Sequence, residues 1–124
     1  MYRVSVHDYF SSAHQLKGYR GKCESVHGHN WKVELEVEGD TLDDIGMLVD
    51  FRTMKDVLKK VIDELDHRML NEIEPFNKIN PSSELLAKHI FHKVRDALDA
   101  GVKVSSITVW ESENSRAVYY EKKT

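Results

Sequence analysis

The chain has 124 residues, of which 40% are hydrophobic and 31% charged, a composition that predicts one globular domain and leaves no room for two ordinary cores. Its formal net charge of -3 excludes a protein that holds nucleic acid mainly through phosphate contacts. No run approaches the roughly 20 apolar residues that cross a bilayer, and the first residues lack the apolar core of a signal peptide. With a single cysteine and no internal disulfide, we expect a cytoplasmic protein without a membrane partner.

The first predicted element is a strand over residues 2–12, because polar and apolar side chains alternate along it. Val6 and Phe10 share one face of this strand. The same parity extends to His14 if the strand stays regular. His14 is therefore expected on the apolar side.

A loop over about residues 15–22 follows, with two glycines as breakers. It carries three cations, Lys17, Arg20 and Lys22. The residues alone leave two interpretations open, a solvated loop and an anion site.

Residues 23–29 place a thiol, a carboxylate and two imidazoles in one short segment, next to an alternating stretch at about 28–38 that predicts the second strand. His27 and His29 are two residues apart, so both project to one face of that strand. Two imidazoles at this spacing can reach one ion, and the tetrahedral preference of zinc calls for a further ligand. His14 is the candidate third ligand. The alternative is that each histidine is an ordinary surface or hydrogen-bonded side chain.

A helix is predicted after Asp50, its N-cap, because apolar residues recur every three or four positions from Met54 to Leu65. Asp66 and His67 follow at the C-terminal end of this helix. They form either a helix-end pair, in which a cationic histidine meets the helix dipole, or an acid–base pair, in which the carboxylate orients the imidazole.

Residues 80–84 predict the start of a second helix, since proline suits a first turn, serine or asparagine can cap, and Glu84 favours the positive helix end. Gly101 is predicted to end it. His89 and His92 on this helix are interpreted as packing or surface residues rather than ligands.

Two more strands are predicted over residues 104–113 and 116–122. Glu111 shares its parity with Val109 and so points where aliphatic side chains point. The order ββααββ predicts an α+β protein, with one four-stranded antiparallel sheet and two helices on one face. Four strands leave open edges, which oligomerisation would pair.

Five motifs in this order resemble one known family. They are F-x-x-A-H at residues 10–14, C-x-x-x-H-G-H at 23–29, L-D-H at 65–67, P-S-S-E at 81–84 and W-E at 110–111. Together they span essentially the whole chain and resemble the 6-pyruvoyltetrahydropterin synthase / 6-carboxytetrahydropterin synthase family. The resemblance implies the tunnelling fold (T-fold), in which strands of three subunits close a β-barrel and two trimers form a homohexamer with active sites between subunits.

The resemblance also implies a role for each site residue. The zinc ligands are His14, His27 and His29, which leave the ion open to the substrate, 7,8-dihydroneopterin triphosphate. The residues that move protons are Cys23, Asp66 and His67. The residues that hold the substrate are Glu111 as pterin anchor, Ser83 and Glu84 in the pterin pocket, and Lys22, with Lys17 and Arg20, at the triphosphate.

The product branch rests on two neighbouring residues. Cys23 disfavours the branch whose base is a glutamate and which makes 6-hydroxymethyl-dihydropterin. Glu24 nevertheless gives C-E-x-x-H-G-H, which resembles a subgroup with both bases; otherwise it is a loop carboxylate.

The chain most resembles the microbial 6-carboxytetrahydropterin synthases, which release acetaldehyde and triphosphate on the route to queuosine. The alternatives are the hydroxymethyl and pyruvoyl branches and, outside the enzymes, a zinc-binding module without catalysis.

Overall fold

The computed structural model describes residues 1–21, 25–98 and 101–122. The elements, in chain order, are β1 (Tyr2–His14), β2 (His27–Gly39), α1 (Phe51–Asp63), a 3-10 turn (Leu70–Glu72), α2 (Ser83–Ala97), β3 (Lys103–Ser112) and β4 (Ser115–Tyr119). The strands form one antiparallel sheet in the order β1-β2-β3-β4. The predicted ββααββ order and the antiparallel sheet with two helices are confirmed.

One face of the sheet is covered by the helices, and the alternation of β2 shows why. Val33, Leu35 and Val37 are fully buried, whereas Glu34 and Glu36 project from the opposite face. Helix α1 packs on β1, and α2 packs on β3 and β4. Neither helix, nor any other in the described part of the chain, is long and apolar enough to cross a membrane.

Both helices begin at the predicted caps. The carboxylate of Asp50 accepts a hydrogen bond from the backbone N–H of Arg52 at 2.8 Å, and the hydroxyl of Ser82 accepts one from Leu85 at 3.2 Å. Each bond satisfies a backbone donor that lacks a partner within the first helical turn.

The end of α2 differs from the prediction. The helix ends at Ala97 instead of reaching Gly101, because Leu98 adopts an extended backbone with φ -87° and ψ 137°. The side chain of Leu98 is partly buried against the core in this conformation. The backbone thus leaves the helical conformation three residues before the glycine.

The strands β1 and β2 are longer than predicted at the ends that face each other. Strand β1 continues to His14 and β2 begins at His27, so that these two residues are cross-strand partners. Strand β4 is shorter than predicted and ends at Tyr119.

The segment after α1 covers the outer edge of β1 near its end. The N–H of His67 donates to the carbonyl of Ser11 at 2.6 Å, and the N–H of Ala13 donates to the carbonyl of Arg68 at 3.0 Å. Ala13 also forms a parallel bridge with Met69. This segment is therefore fixed to the same strand that carries His14.

Candidate metal centre and active site

Four possible ligands converge at one end of the sheet. His14 on β1, His27 and His29 on β2, and Glu111 on β3 place one ligand atom each within 4.8 Å of one another. The convergence follows from the strand register, because β2 lies between β1 and β3 and its two histidines share a face. The three predicted ligands are thus brought together by the structure.

Backbone carbonyls set the tautomers of two of these histidines. Nδ1 of His14 lies 2.9 Å from the carbonyl oxygen of Pro81, and Nδ1 of His27 lies 2.8 Å from that of Ser25. A carbonyl only accepts, so each Nδ1 carries the proton and each Nε2 presents a lone pair.

The distance between these two Nε2 atoms fits a shared cation. They lie 3.2 Å apart. This agrees with the separation of about 3.3 Å between two nitrogens that bind one tetrahedral zinc ion at roughly 2.0–2.1 Å. Two lone pairs facing each other repel unless a proton or a cation lies between them. The donor set therefore fits a divalent metal ion.

The carboxylate of Glu111 completes the cluster. Its Oε1 lies 3.0 Å from Nε2 of His29 and 3.9 Å from Nε2 of both His14 and His27. The hydroxyl of Ser83 donates to its Oε2 at 3.3 Å. The predicted pterin anchor thus lies against the three imidazoles, and its role remains a proposal.

An indole forms the floor of the cluster. The ring of Trp31 is fully buried and meets the rings of His14 and His29 edge-on, with centroids 4.9 and 5.2 Å away. His14 is buried, whereas the side chains of His27 and His29 keep 32% and 22% of their surface exposed. The cluster is therefore closed on the side of Trp31 and partly open to solvent at His27 and His29.

Ser83 and Glu84 begin α2 at the rim of the same site. Together with Glu111 and Arg116 they line a cleft of about 450 Å³. Ser83 is half-buried and Glu84 is exposed. Both predicted pterin-pocket residues therefore lie at a cavity that shares Glu111 with the histidine cluster.

Asp66 and His67 form a hydrogen-bonded pair outside this cluster. Oδ1 of Asp66 accepts from the backbone N–H of Ser11 at 2.9 Å and lies 2.9 Å from Nδ1 of His67. The Ser11 N–H, and after it His67, lower the pKa of the Asp66 carboxyl.

Asp66 and His67 lie at the surface of the chain, beside the outer edge of β1. The pair follows the end of α1, with His67 in the left-handed region at φ 55°. The geometry is that of an imidazole oriented by a carboxylate, and the His67 side chain is 81% exposed at the outer edge of β1. The imidazole of His67 is thus accessible to molecules outside this chain.

The remaining predicted site residues lie on or near the loop between β1 and β2. Lys22, Cys23 and Glu24 lie outside the described residues. Lys17 is fixed through its backbone, which exchanges two hydrogen bonds of 2.8 Å with the side chain of Asn80. Arg20 is exposed and lies over the ring of Tyr19.

The two histidines of α2 make packing or surface contacts, as interpreted from the sequence. The ring of His89 meets that of Phe76 edge-on at 5.2 Å, and Nδ1 of His92 lies 3.0 Å from the guanidinium of Arg95.

The fold and the cluster together define an α+β protein whose candidate metal ligands lie at the end of an antiparallel sheet. The sequence profile of the 6-pyruvoyl tetrahydropterin synthase family matches residues 3–122. The chain belongs to this family of enzymes.

Curated relatives cover nearly the whole chain. The 6-carboxy-5,6,7,8-tetrahydropterin synthase of Haemophilus influenzae is 32% identical over 98% of this chain and 100% of that protein. The enzyme of the same name from Bacillus subtilis is 36% identical over 93% of this chain and 82% of that protein. The dihydroneopterin monophosphate aldolase of Pyrococcus furiosus is 36% identical over 90% and 87%.

A solved structure shows the same fold. The 6-pyruvoyl tetrahydropterin synthase of Caenorhabditis elegans superposes with a TM-score of 0.85, covering 98% of this chain and 96% of that chain at 24% identity. The predicted T-fold of the subunit is confirmed by this likeness.

Proposed function

We propose that this chain is a zinc-dependent 6-carboxytetrahydropterin synthase. It would convert 7,8-dihydroneopterin triphosphate to 6-carboxy-5,6,7,8-tetrahydropterin, acetaldehyde and triphosphate, in the cytoplasm and on the route to queuosine. The observation that carries the proposal is the convergence of three imidazoles and the carboxylate of Glu111, which also lines a cleft. The names of the relatives from Haemophilus influenzae and Bacillus subtilis support the product.

The residues that would hold zinc are His14, His27 and His29. The backbone carbonyls behind His14 and His27 leave the Nε2 lone pairs of these two rings free for a shared ion. Zinc held there would supply Lewis-acid chemistry for the hydroxyl groups of the substrate side chain. The protein's part is to fix the ligands on a rigid sheet and to bury one side of them on Trp31.

Proton transfer is assigned to Cys23 and to the pair Asp66–His67. Asp66 orients the imidazole through a 2.9 Å contact with Nδ1, so that Nε2 of His67 can take or give a proton. Because the His67 side chain faces outward from β1, we propose that it serves the metal site of a neighbouring copy. Pairing of the open edges of β1 and β4 into a barrel, in a homohexamer, would provide such a neighbour.

The pterin is assigned to the cleft at the start of α2. A carboxylate can accept the two parallel N–H donors of a pterin ring, and the cleft offers two, Glu111 and Glu84. Glu111 is already in contact with His29 and Ser83, whereas Glu84 is exposed. We therefore propose that Glu84 meets the pterin together with Ser83, and that Glu111 reaches it only by leaving the histidines.

A second product has one specific observation in its favour. The relative from Pyrococcus furiosus, 36% identical, is named an aldolase, and Glu24 next to Cys23 would supply the second base that such a branch needs. We propose 6-hydroxymethyl-dihydropterin as the alternative or additional product. The pyruvoyl branch and a non-catalytic zinc module are the remaining alternatives.

The test is mass spectrometry of the products after the zinc-loaded protein is incubated with 7,8-dihydroneopterin triphosphate. We expect 6-carboxytetrahydropterin with acetaldehyde. Accompanying 6-hydroxymethyl-dihydropterin that Glu24→Gln removes would establish the second base, and pyruvoyltetrahydropterin alone would move the chain to the pyruvoyl branch. Absence of any product, with zinc bound, would leave the non-catalytic module.

A further inference from the structure

Two asparagine side chains continue the hydrogen-bonded edge of β1 beyond its last residue. The amide of Asn71 donates to the carbonyl of Gln15 and accepts from its N–H, both at 2.8 Å. The amide of Asn80 forms the same two bonds with the backbone of Lys17, again at 2.8 Å. A side-chain amide that exchanges both bonds with one residue reproduces a backbone pair of a β-ladder. The chain that follows His14 is therefore fixed at two alternate residues.

Asn80 is also connected to the histidine cluster, through the next residue of the chain. Pro81 is buried, and its carbonyl oxygen lies 2.9 Å from Nδ1 of His14. The side chain of His14 is only 1% exposed, so solvent cannot take the place of this acceptor. The tautomer that leaves Nε2 of His14 available to an ion thus depends on where the Pro81 carbonyl lies.

The Pro81 carbonyl lies between two fixed points of the chain. A proline has its φ fixed at about -65°, and the residue before it is confined to extended conformations, so Asn80 and Pro81 form one stiff unit. Before the carbonyl, the amide of Asn80 holds this unit to Lys17 with two hydrogen bonds. After it, the hydroxyl of Ser82 caps α2. Loss of either fixed point would let the carbonyl move relative to His14.

We infer that Asn80 is a positioning residue of the proposed zinc site. Its amide fixes residues 80–81 against the chain that follows β1, and this keeps the Pro81 carbonyl at Nδ1 of His14. Without the amide, the carbonyl can move away and His14 can carry its proton on Nε2, where the proton competes with the ion. The inference rests on the ligand set of the proposed function and deepens it.

A purely structural role of Asn80 is the competing interpretation. Its bonds with Lys17 also fix the loop between β1 and β2, and their loss could loosen the protein without acting on His14 in particular. The two interpretations differ when His14 is replaced. A residue that acts through His14 should then have no further effect on metal binding, whereas general loosening would weaken binding with or without His14.

The experiment measures the zinc affinity of the full-length protein by competition with a chromophoric chelator. The variants are Asn80→Ala, His14→Gln and the double variant, which together form a double-mutant cycle. The control is Asn77→Ala, which removes an exposed asparagine three residues earlier in the same loop. Urea unfolding of the metal-free proteins measures the stability of each variant.

We expect Asn80→Ala to bind zinc about tenfold more weakly than the wild type, the lower end of the loss caused by substitutions behind a metal ligand. Asn77→Ala should bind as the wild type does. In the His14→Gln background, Asn80→Ala should change the affinity by less than about twofold. An unchanged zinc affinity in Asn80→Ala, or an equal loss in both backgrounds, would overturn the inference.

The visible spectrum of the cobalt-substituted protein gives a second readout, which does not require His14→Gln to fold. The spectrum reports the geometry of the ligands around the ion. We expect the spectrum of Asn80→Ala to differ from that of the wild type and the spectrum of Asn77→Ala to match it. Identical spectra for all three proteins would contradict the positioning role.

Product formation separates this inference from the proposed function. Weaker zinc binding by Asn80→Ala through His14, in a protein that forms no pterin product, would support the positioning role and contradict the proposed activity. Product formation with the same zinc affinity in Asn80→Ala and wild type would support the activity and contradict the positioning role. A wild type that binds no zinc would overturn both the ligand set and this inference.

Discussion

Oε1 of Glu111 lies 3.0 Å from Nε2 of His29, so a carboxylate of β3 and an imidazole of β2 meet at one point. The other oxygen of Glu111 accepts from Ser83 on α2. One side chain therefore connects the histidine cluster with helix α2. A ligand that draws Glu111 towards the cleft must break its contact with His29, so the proposed metal centre and the proposed pterin site are coupled through this residue.

Removal of a ligand should remove the metal. We expect His27→Ala to weaken zinc binding by more than about 100-fold, since loss of an outer-shell partner alone costs 10–100-fold. Cys23→Ala should keep stoichiometric zinc and lose turnover. Metal content by plasma mass spectrometry and product formation are measured on both variants. Stoichiometric zinc in His27→Ala would contradict the ligand set.

Substitution of Glu111 and of Glu84, the two carboxylates of the cleft, should affect different measurements. Glu111→Gln is expected to weaken metal binding by about 10–100-fold, because it removes a charged neighbour of the histidines. Glu84→Gln is expected to keep the metal and raise KM. The visible spectrum of the cobalt-substituted protein reports the first effect and steady-state kinetics the second. Identical cobalt spectra for wild type and Glu111→Gln would remove Glu111 from the metal site.

Mixing two inactive variants tests whether the sites lie between subunits. His27→Ala lacks a metal ligand and Asp66→Asn lacks the residue that orients His67. If His67 acts in the site of a neighbour, co-assembled subunits in equal amounts should recover about a quarter of wild-type activity, since that fraction of sites draws both intact halves. The separately purified proteins, left unmixed, are the control. Recovery of nothing in verified mixed oligomers would place both halves in one subunit.

Acid should destabilise the protein through His89. Burial against Phe76, and then the charge of Lys93, lower the pKa of His89 below its ordinary value of 6.5, while Glu64 opposes this. When the pH falls below 6.5, His89 takes up a proton in the unfolded chain more readily than in the native protein. The free energy of unfolding therefore decreases as the pH falls.

Urea unfolding of the wild type and His89→Gln measures this effect. Between about pH 7.5 and pH 5.5 the wild type should lose more free energy of unfolding than His89→Gln. His7→Gln, which removes an exposed histidine, should follow the wild type. Parallel pH profiles for wild type and His89→Gln would show that His89 carries no such linkage.

The convergence of the three histidines was predictable because strand parity is strict. A period of two places His27 and His29 on one face and carries His14 to the apolar side of β1. The carbonyls of Ser25 and Pro81, which fix the tautomers, were not predictable, because a backbone acceptor has no signature in residue type.

Other features depend on tertiary contacts. The parity of Glu111 predicts that it points with aliphatic residues, but its contact with His29 depends on how β3 pairs with β2. The end of α2 at Ala97 was not predicted, because the extended backbone of Leu98, which packs against the core, has no signature in the residue pattern.

The pairing of His14 with His27 has a consequence for how the chain reaches its native alignment. A slip of β1 against β2 by one residue would turn His14 to the opposite face of the sheet. A slip by two would keep the face but carry His14 several ångströms along the strand, away from His27 and His29. An ion held by all three imidazoles would therefore stabilise only the correct hairpin. Metal binding at this cluster would thus favour the native alignment of the first two strands during folding.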